Sequence, residues 1–425
     1  MSVERFQNLV NNTFQQIESR LNGSATGPLH EIRRKGLEAF QSQGVPTTRH
    51  EEWKYTNVLP SLAADYHVHS ASAAASDISK TLRGSLLDGH KGVEAHYHVM
   101  VLNGRFSAAA SVLPADGSID VQLLNDAYIN ANPGTVEWLH ALAPVSTHPF
   151  VAANSAMMEG ALVIRIGKGI PDSRLLHIAV VNDSRNADVV STPRLLVVIE
   201  PHAECAIVEE HLTLGDGASL TSSVTQIVAG ENSKPTCVKI VDQNMSATHL
   251  GHTSAIVHAN ASLKCVTLCL GGRLTRNELE IKLVEKSAAA YLYGLSVLSD
   301  GEFADNHTLV DHVAPHCHSE EEYKGLYDGR STGVFNGKIM VRPDAQKTTA
   351  YQSNRSVLLS DTAQVNTKPQ LEIFADDVKC SHGATCGQID EEAVFYLQSR
   401  GISRADARAL IVYAFAADIV EHVPH

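Results

Sequence analysis

Aromatic residues are scarce: 5% of 425 residues are Phe, Trp or Tyr, against 44% hydrophobic overall. Such a composition favours a globular core of small aliphatic side chains over one of stacked rings. Cysteine is also thin. The seven thiols, Cys205, Cys237, Cys265, Cys269, Cys317, Cys380 and Cys386, are odd in number and too sparse for a disulfide framework, so a reducing, cytoplasmic setting is expected. The first twenty residues hold Glu4, Arg5, Glu18 and Arg20 and no continuous apolar stretch, so no signal peptide is expected. No run is long enough to cross a bilayer. Positive charge is in deficit, with 34 Lys and Arg against 47 Asp and Glu. The resulting net charge of −13 is spread along the chain, which argues against nucleic acid or an anionic membrane as the main partner. A G-x-x-x-x-G-K-[ST] loop is absent, so ATP chemistry is not the chain's own.

At roughly 150 residues per domain the length allows two to three domains, or fewer if a repetitive β architecture takes most of it. Residues 1–60 read as an N-terminal helical region. Val3, Phe6, Val10, Phe14, Ile17 and Leu21 recur every three or four positions and lay an apolar stripe on one helix. A second helix starts at Pro28, turns Leu29, Ile32, Leu37 and Phe40 inward, and stops before Gly44. The charged and aromatic stretch Arg49 to Asn57 is expected to be a linker whose Trp53 and Tyr55 anchor these helices. Residues 61–150 are a mixed α/β segment leading into the core, with a strand at Ala95 to Leu102 and a helix at Val136 to Leu142. Its two H-x-H pairs, His67 with His69 and His96 with His98, lack a carboxylate or thiol at ligand spacing and read as strand-surface histidines.

Across residues 151–388 the texture changes. Short aliphatic runs such as Leu195 to Ile199 and Ile281 to Val284 are separated by compact polar corners, and long helical stripes are nearly absent. The corners repeat a small residue at Ala203, Ala218, Ala261, Ala288, Ala345, Ala363 and Ala384. Stacked coils need small corners, because each packs under the next at about 4.8 Å. A mainly β fold with a parallel β-helix core follows, with a β-sandwich as the rival. Hairpin dipeptides are few, isolated at Asp216-Gly217 and Asn336-Gly337, which favours the solenoid. Residues 389–425 are helical again, opened by Asp390, broken at Gly401 and restarted at Ser403. Ala407, Leu410, Ile411, Ala414, Phe415 and Ile419 are expected to make one apolar face.

The most chemically loaded stretch runs from Asp376 to Gly387. On a strand, residues two apart point to one side, so Cys380 and His382 would present sulfur and nitrogen together. No second C-x-x-C or H-x-x-x-H lies close by, so a closed metal site needs ligands from elsewhere in the fold or from another chain. Cys265 and Cys269 on one strand would stand about 13 Å apart, too far for one ion, and read as buried small hydrophobes. His316 and His318, around Cys317, could share a face as a second ligand pair or form a solvated turn at Pro315. Cys386 is expected to be a packed small side chain beside Gly387.

Leu371 to Thr385, with Cys380-Ser381-His382-Gly383-Ala384-Thr385, followed by Phe395 to Ile402, resembles the SufB/SufD family of iron–sulfur cluster assembly proteins. Arg49 to Asn57 resembles that family's N-terminal E-x-W-K-Y-T element, and His312 to Lys324 and Val334 to Ile339 resemble its central signature. The SufB branch carries His-Glu-Ala where this chain has His382-Gly383-Ala384, so the resemblance is to the SufD branch. It implies a right-handed parallel β-helix between N-terminal and C-terminal helical regions. It also implies a non-catalytic scaffold subunit that pairs with SufB through the core and binds the ATPase SufC through residues 389–425, and it leaves open a homodimer when SufB is absent. A transient iron–sulfur cluster or iron would be shared with SufB, with sulfur from a desulfurase system and room for a reduced flavin in the complex. Carried over, His382 is the expected cluster or iron ligand and Cys380 its supporting ligand. Two other readings stay open at this point. One is a structural adaptor in which both residues are merely packed. The other is a carbohydrate-active β-helix enzyme, which would need paired carboxylates on one face where Asp376 and Asp377 point apart.

Overall fold

The computed structural model describes residues 2–21, 26–68, 97–113, 117–170 and 175–424. From Leu175 onward the chain winds in coils that add strands to two ten-stranded sheets. Strands alternate between the sheets. Glu204–Leu214 thus neighbours Lys234–Asp242 in one, while Ser219–Ala229 neighbours Ala247–Val257 in the other. These pairings are parallel, and partners on successive coils lie from 26 residues apart, Thr248 with Leu274, to 32, Thr332 with Gln364. Parallel neighbours one coil apart make a β-solenoid and dispose of the sandwich. Among the described residues antiparallel strand pairs occur only where the stack begins, Tyr97–Leu102 with Arg105–Phe106 and Ile119–Leu123 with Leu162–Ile166.

One corner is built the same way six times. His202, Asn232, Asn260, Ser287, His316 and Lys347 have positive φ, and each directly precedes a small buried residue: Ala203, Ser233, Ala261, Ala288, Cys317 or Thr348. The N–H of each left-handed residue donates to a carbonyl one coil further on, from His202 to Glu231 through to Lys347 to Asp377. The alanine pattern in the sequence is therefore half of a row that Ser, Cys and Thr complete. Ala218 and Ala363 belong to the opposite corner, which explains the uneven spacing, and Ala384 is no corner, lying within the strand Lys379–Gln388. Aliphatic side chains such as Val197, Ile227, Leu263, Ile281 and Val310 fill the interior, as the low aromatic content anticipates.

The N-terminal helices lie on the outer face of one sheet. Helix Ser2–Arg20 buries Phe6, Val10, Phe14 and Ile17, and helix Pro28–Gln43 buries Leu29, Ile32 and Phe40 before Gly44 ends it at φ 68°. Phe6, Phe40 and Phe150 join Trp53 over Leu220, Leu250 and Leu274 of the sheet. Trp53 is the anchor expected of it: the Arg276 guanidinium stacks 3.9 Å from its ring centre. Tyr55 is exposed instead. Arg276 is almost wholly buried and pairs with both Asp305 and Glu278, while Thr56 donates to Asp305 at 2.5 Å. Of the H-x-H histidines, His69 and His96 lie outside the described residues. His98 sits on strand Tyr97–Leu102 with its Nδ1 3.1 Å from that of His177.

At the other end, Asp390 caps helix Glu391–Gln398 and Ser403 caps helix Arg404–Val420. The longer helix lies on the outside of the second sheet. Ile419 packs among Val266, Leu268, Tyr293 and Leu295, and Lys324 Nζ reaches Asp418 at 2.5 Å. The apolar face differs from expectation. Ala407 and Ile419 are buried and Ile411 and Phe415 half-buried, but Leu410 and Ala414 turn outward.

Two outcomes follow from this packing. Ala288→Leu pushes three extra carbons between the corner residues above and below it and should cost about 1–3 kcal/mol, read as a lower urea midpoint. Arg276→Ala strands Asp305 and Glu278 in a buried site and should cost about 3–5 kcal/mol by the same measurement.

Candidate functional site

Strand Lys379–Gln388 is the last strand of its sheet, and Gln364–Ile373 is the last of the other. Among the described residues neither has a partner on its outer edge, so the solenoid ends in two unpaired ten-residue edges. The register places Cys380 over Ala350, His382 over Gln352, Ala384 over Asn354 and Cys386 over Ser356. All four lower residues are buried. Their column faces the solenoid's lumen, and Cys380, His382 and Cys386 continue it at the mouth. The alternation expected for Cys380 and His382 therefore holds, and both are accessible, Cys380 half-buried against the cluster of Ile339, Val341, Ala345, Ala350 and Ala375 and His382 exposed.

Cys386 is exposed and shares this face, contrary to its expected packing. The parity signal was present, since 380, 382 and 386 are all even. Distance nonetheless keeps it out of a common centre: six strand residues span about 20 Å, whereas two span about 6.6 Å. One centre can thus draw at most Cys380 and His382 from this strand. A four-ligand site or cluster would still need ligands from beyond it. Burial pushes the Cys380 thiol above its ordinary pKa, against a hydrogen bond from the Ala350 backbone that lowers it. The thiol is therefore protonated at neutral pH, and coordination must displace that proton.

The other sequence candidates are dispersed. Cys265 and Cys269 are both buried on strand Ser262–Cys269, and burial raises their pKa to about 12 and about 11. His316 occupies a left-handed corner position, Cys317 is buried behind it, and His318 packs beside Tyr291 and Tyr351. His312 Nε2 bonds Ser319 Oγ at 2.9 Å, and burial lowers its pKa to about 4. Among the described residues none of these joins a three-membered His, Cys, Asp or Glu cluster. Asp376 and Asp377 lie in the turn before the last strand, where Asp377 pairs with Lys347, so they form no catalytic carboxylate pair.

Accessibility and burial predict an order of thiol modification. In the native chain iodoacetamide should alkylate Cys386 first and Cys380 more slowly, with Cys265 and Cys269 protected until unfolding. In a Cys386→Ala chain the Cys380 rate should still be climbing with pH beyond about 8.5, the ordinary thiol midpoint. Peptide mass mapping of the pH series checks both, and a Cys380 rate already flat at pH 8 would contradict the burial argument.

Residues 180–415 match the model of the SUF system FeS cluster assembly, SufBD core domain, and residues 5–178 match that of the SufBD protein N-terminal region. The Escherichia coli (strain K12) iron–sulfur cluster assembly protein SufD is 29% identical over 91% of this chain and 87% of its own length. A Synechocystis iron–sulfur cluster assembly SufBD family protein, slr0076, is 27% identical over 96% and 90%. The chloroplastic protein ABCI7 of Arabidopsis thaliana is 32% identical over 56% of this chain and half of its own. With matched models over both its parts, the chain belongs to the SufBD family of iron–sulfur cluster assembly proteins.

Proposed function

We propose that the chain is the SufD-type subunit of a scaffold in which it meets a SufB-type protein at the open end of the solenoid, and that nascent clusters form across that junction. The observation that carries this reading is an incomplete ligand set in an accessible place. Cys380 and His382 share the lumen face of an unpaired last strand, where a second solenoid could continue the sheets and supply the missing ligands. Iron and sulfide are the cargo here. His382 would hold iron or the cluster as an imidazole ligand, and Cys380 would add a thiolate once deprotonated. Electrons would come from outside the chain, with a reduced flavin as one donor, and finished clusters would pass to acceptor proteins. In the absence of SufB the same edges could pair two copies of this chain.

The C-terminal helices supply the second junction. Phe395 is 71% and Tyr413 73% exposed, with Tyr396, Leu410 and Val420 also in solvent. Such an apolar surface suits a protein partner, and the SufC-type ATPase is the one proposed. Closure of its dimer on ATP would shift the two solenoids against each other and open the mouth. The chain itself is a non-catalytic subunit in this scheme, and seven unpaired cysteines suit a reducing, cytoplasmic compartment.

The decisive experiment is His382→Ala in the intact three-protein complex, assayed for iron and acid-labile sulfide after reconstitution. Loss of cluster with the complex still assembled is expected. Undiminished cluster formation would leave this chain a structural adaptor.

A further inference from the structure

A cleft between the N-terminal region and the outer face of the sheet gathers His148, His252 and Glu278, and one ligand atom of each lies within 4.8 Å of the others. His252 and Glu278 sit opposite one another on neighbouring parallel strands, and His148 immediately precedes helix Pro149–Met157. All three therefore stand on or beside rigid elements. Glu278 Oε2 is 3.1 Å from His148 Nδ1 and 3.5 Å from His252 Nδ1. A tetrahedral ion with bonds of about 2.0–2.1 Å has ligand-to-ligand edges of about 3.3 Å, so the trio needs little movement to close on one.

The surroundings already hold these groups in ligand orientations. Arg276 donates two hydrogen bonds to Glu278 Oε1, 2.9 and 2.7 Å long, leaving Oε2 to face the imidazoles. His148 Nε2 is 3.0 Å from Glu280 Oε1, the carboxylate-to-histidine contact that commonly supports a metal ligand. His252 is 3% exposed, its Nε2 has no hydrogen-bond partner, and its 3.5 Å contact to Glu278 is at the limit of a hydrogen bond. A buried imidazole so poorly satisfied by its own protein calls for another partner. Charge points the same way. Glu52, Glu278 and Glu280 line the cleft with Arg276 and the imidazoles, Arg276 also pairing with the buried Asp305, while the Lys338 ammonium is 3.0 Å from Glu372. The side chains of His148, Glu278 and Glu280 remain about one-fifth exposed, so the cleft is open to ions.

We propose that His148, His252 and Glu278 bind a divalent first-row transition cation, with Glu280 orienting His148 and Arg276 orienting Glu278. Two imidazoles and a carboxylate suit Zn²⁺ or Fe²⁺, whereas Mg²⁺ and Ca²⁺ prefer oxygen alone. The site shares no residue with the solenoid mouth and does not depend on the function proposed for that mouth.

The test uses the full chain, stripped by chelator and titrated without oxygen with Co²⁺, Zn²⁺ and Fe²⁺. In a chain carrying Cys380→Ser, His382→Ala and Cys386→Ser together, which removes the mouth ligands, one Co²⁺ per chain is expected, with visible d–d bands and no thiolate-to-cobalt charge-transfer band. Adding His252→Ala or Glu278→Gln to it should weaken binding at least about tenfold, and Glu280→Gln by about 10–100-fold. A thiolate band in the triple variant, binding there that His252→Ala leaves unchanged, or no binding below millimolar concentration would each overturn the proposal. The triple variant's spectrum decides even if a cleft variant fails to fold.

Discussion

One hydrogen bond, repeated once per coil, sets the geometry of everything else. The N–H of a left-handed corner residue reaches the carbonyl of the coil that follows, six times from His202 to Lys347. Each bond fixes the height of a coil, and the small residue after it lets the next corner sit close. Register then carries through both sheets, so that side chains stack in columns along the axis. A column cannot turn back on itself as a closed barrel does. It must stop at an edge, and here it stops at Cys380 and His382. The exposure of the proposed ligands is thus a consequence of solenoid construction, independent of any property of the two residues.

How much of this the sequence could tell depended on the range of the interaction. Strand alternation is local, so the shared face of Cys380 and His382 was legible, as were Trp53 as an anchor and the caps at Asp390 and Ser403. The corner row was half legible. Alanine is conspicuous, but Ser233, Cys317 and Thr348 fill the same slot, and only the backbone conformation of the residue before them reveals the equivalence. Ala384 was misplaced for the converse reason, a small residue with no such neighbour. Leu410 and Ala414 turn outward because the buried line is narrower: Ala407 and Ile411 cluster with Val394 and Leu397 of the preceding helix, and Ile419 packs on the sheet. Residues 148, 252 and 278 carry no motif, because a helix start and two strands one coil apart bring them together.

Arg276 ties the two halves of the molecule. Its guanidinium stacks on Trp53, pairs with Asp305 and fixes Glu278, so the N-terminal region docks through one buried cation as well as through the Phe6, Phe40 and Phe150 cluster. Buried charge is expensive and confers little net stability. What it does confer is position. An apolar interface tolerates sliding by a residue, whereas a guanidinium with two carboxylates and an indole has one arrangement. That arrangement sets the helix start at His148 opposite His252 and Glu278.

The mouth is also connected inward. Beneath His382 lies Gln352, and beneath that Glu321, whose Oε2 accepts from Gln352 Nε2 at 2.7 Å. Burial raises the Glu321 carboxyl to about 7, against hydrogen bonds from Thr308 and Gln352 that lower it. A cation held at His382 would stand two coils above it, about 10 Å at the inter-strand spacing, across a lumen of low dielectric. A positive charge there would favour the ionised carboxylate through the low-dielectric lumen, as coordination would favour the Cys380 thiolate. A partner that covers the mouth and excludes water strengthens each interaction, so on this reading the affinity of the last coil for a cation and its affinity for a second solenoid are one linked quantity.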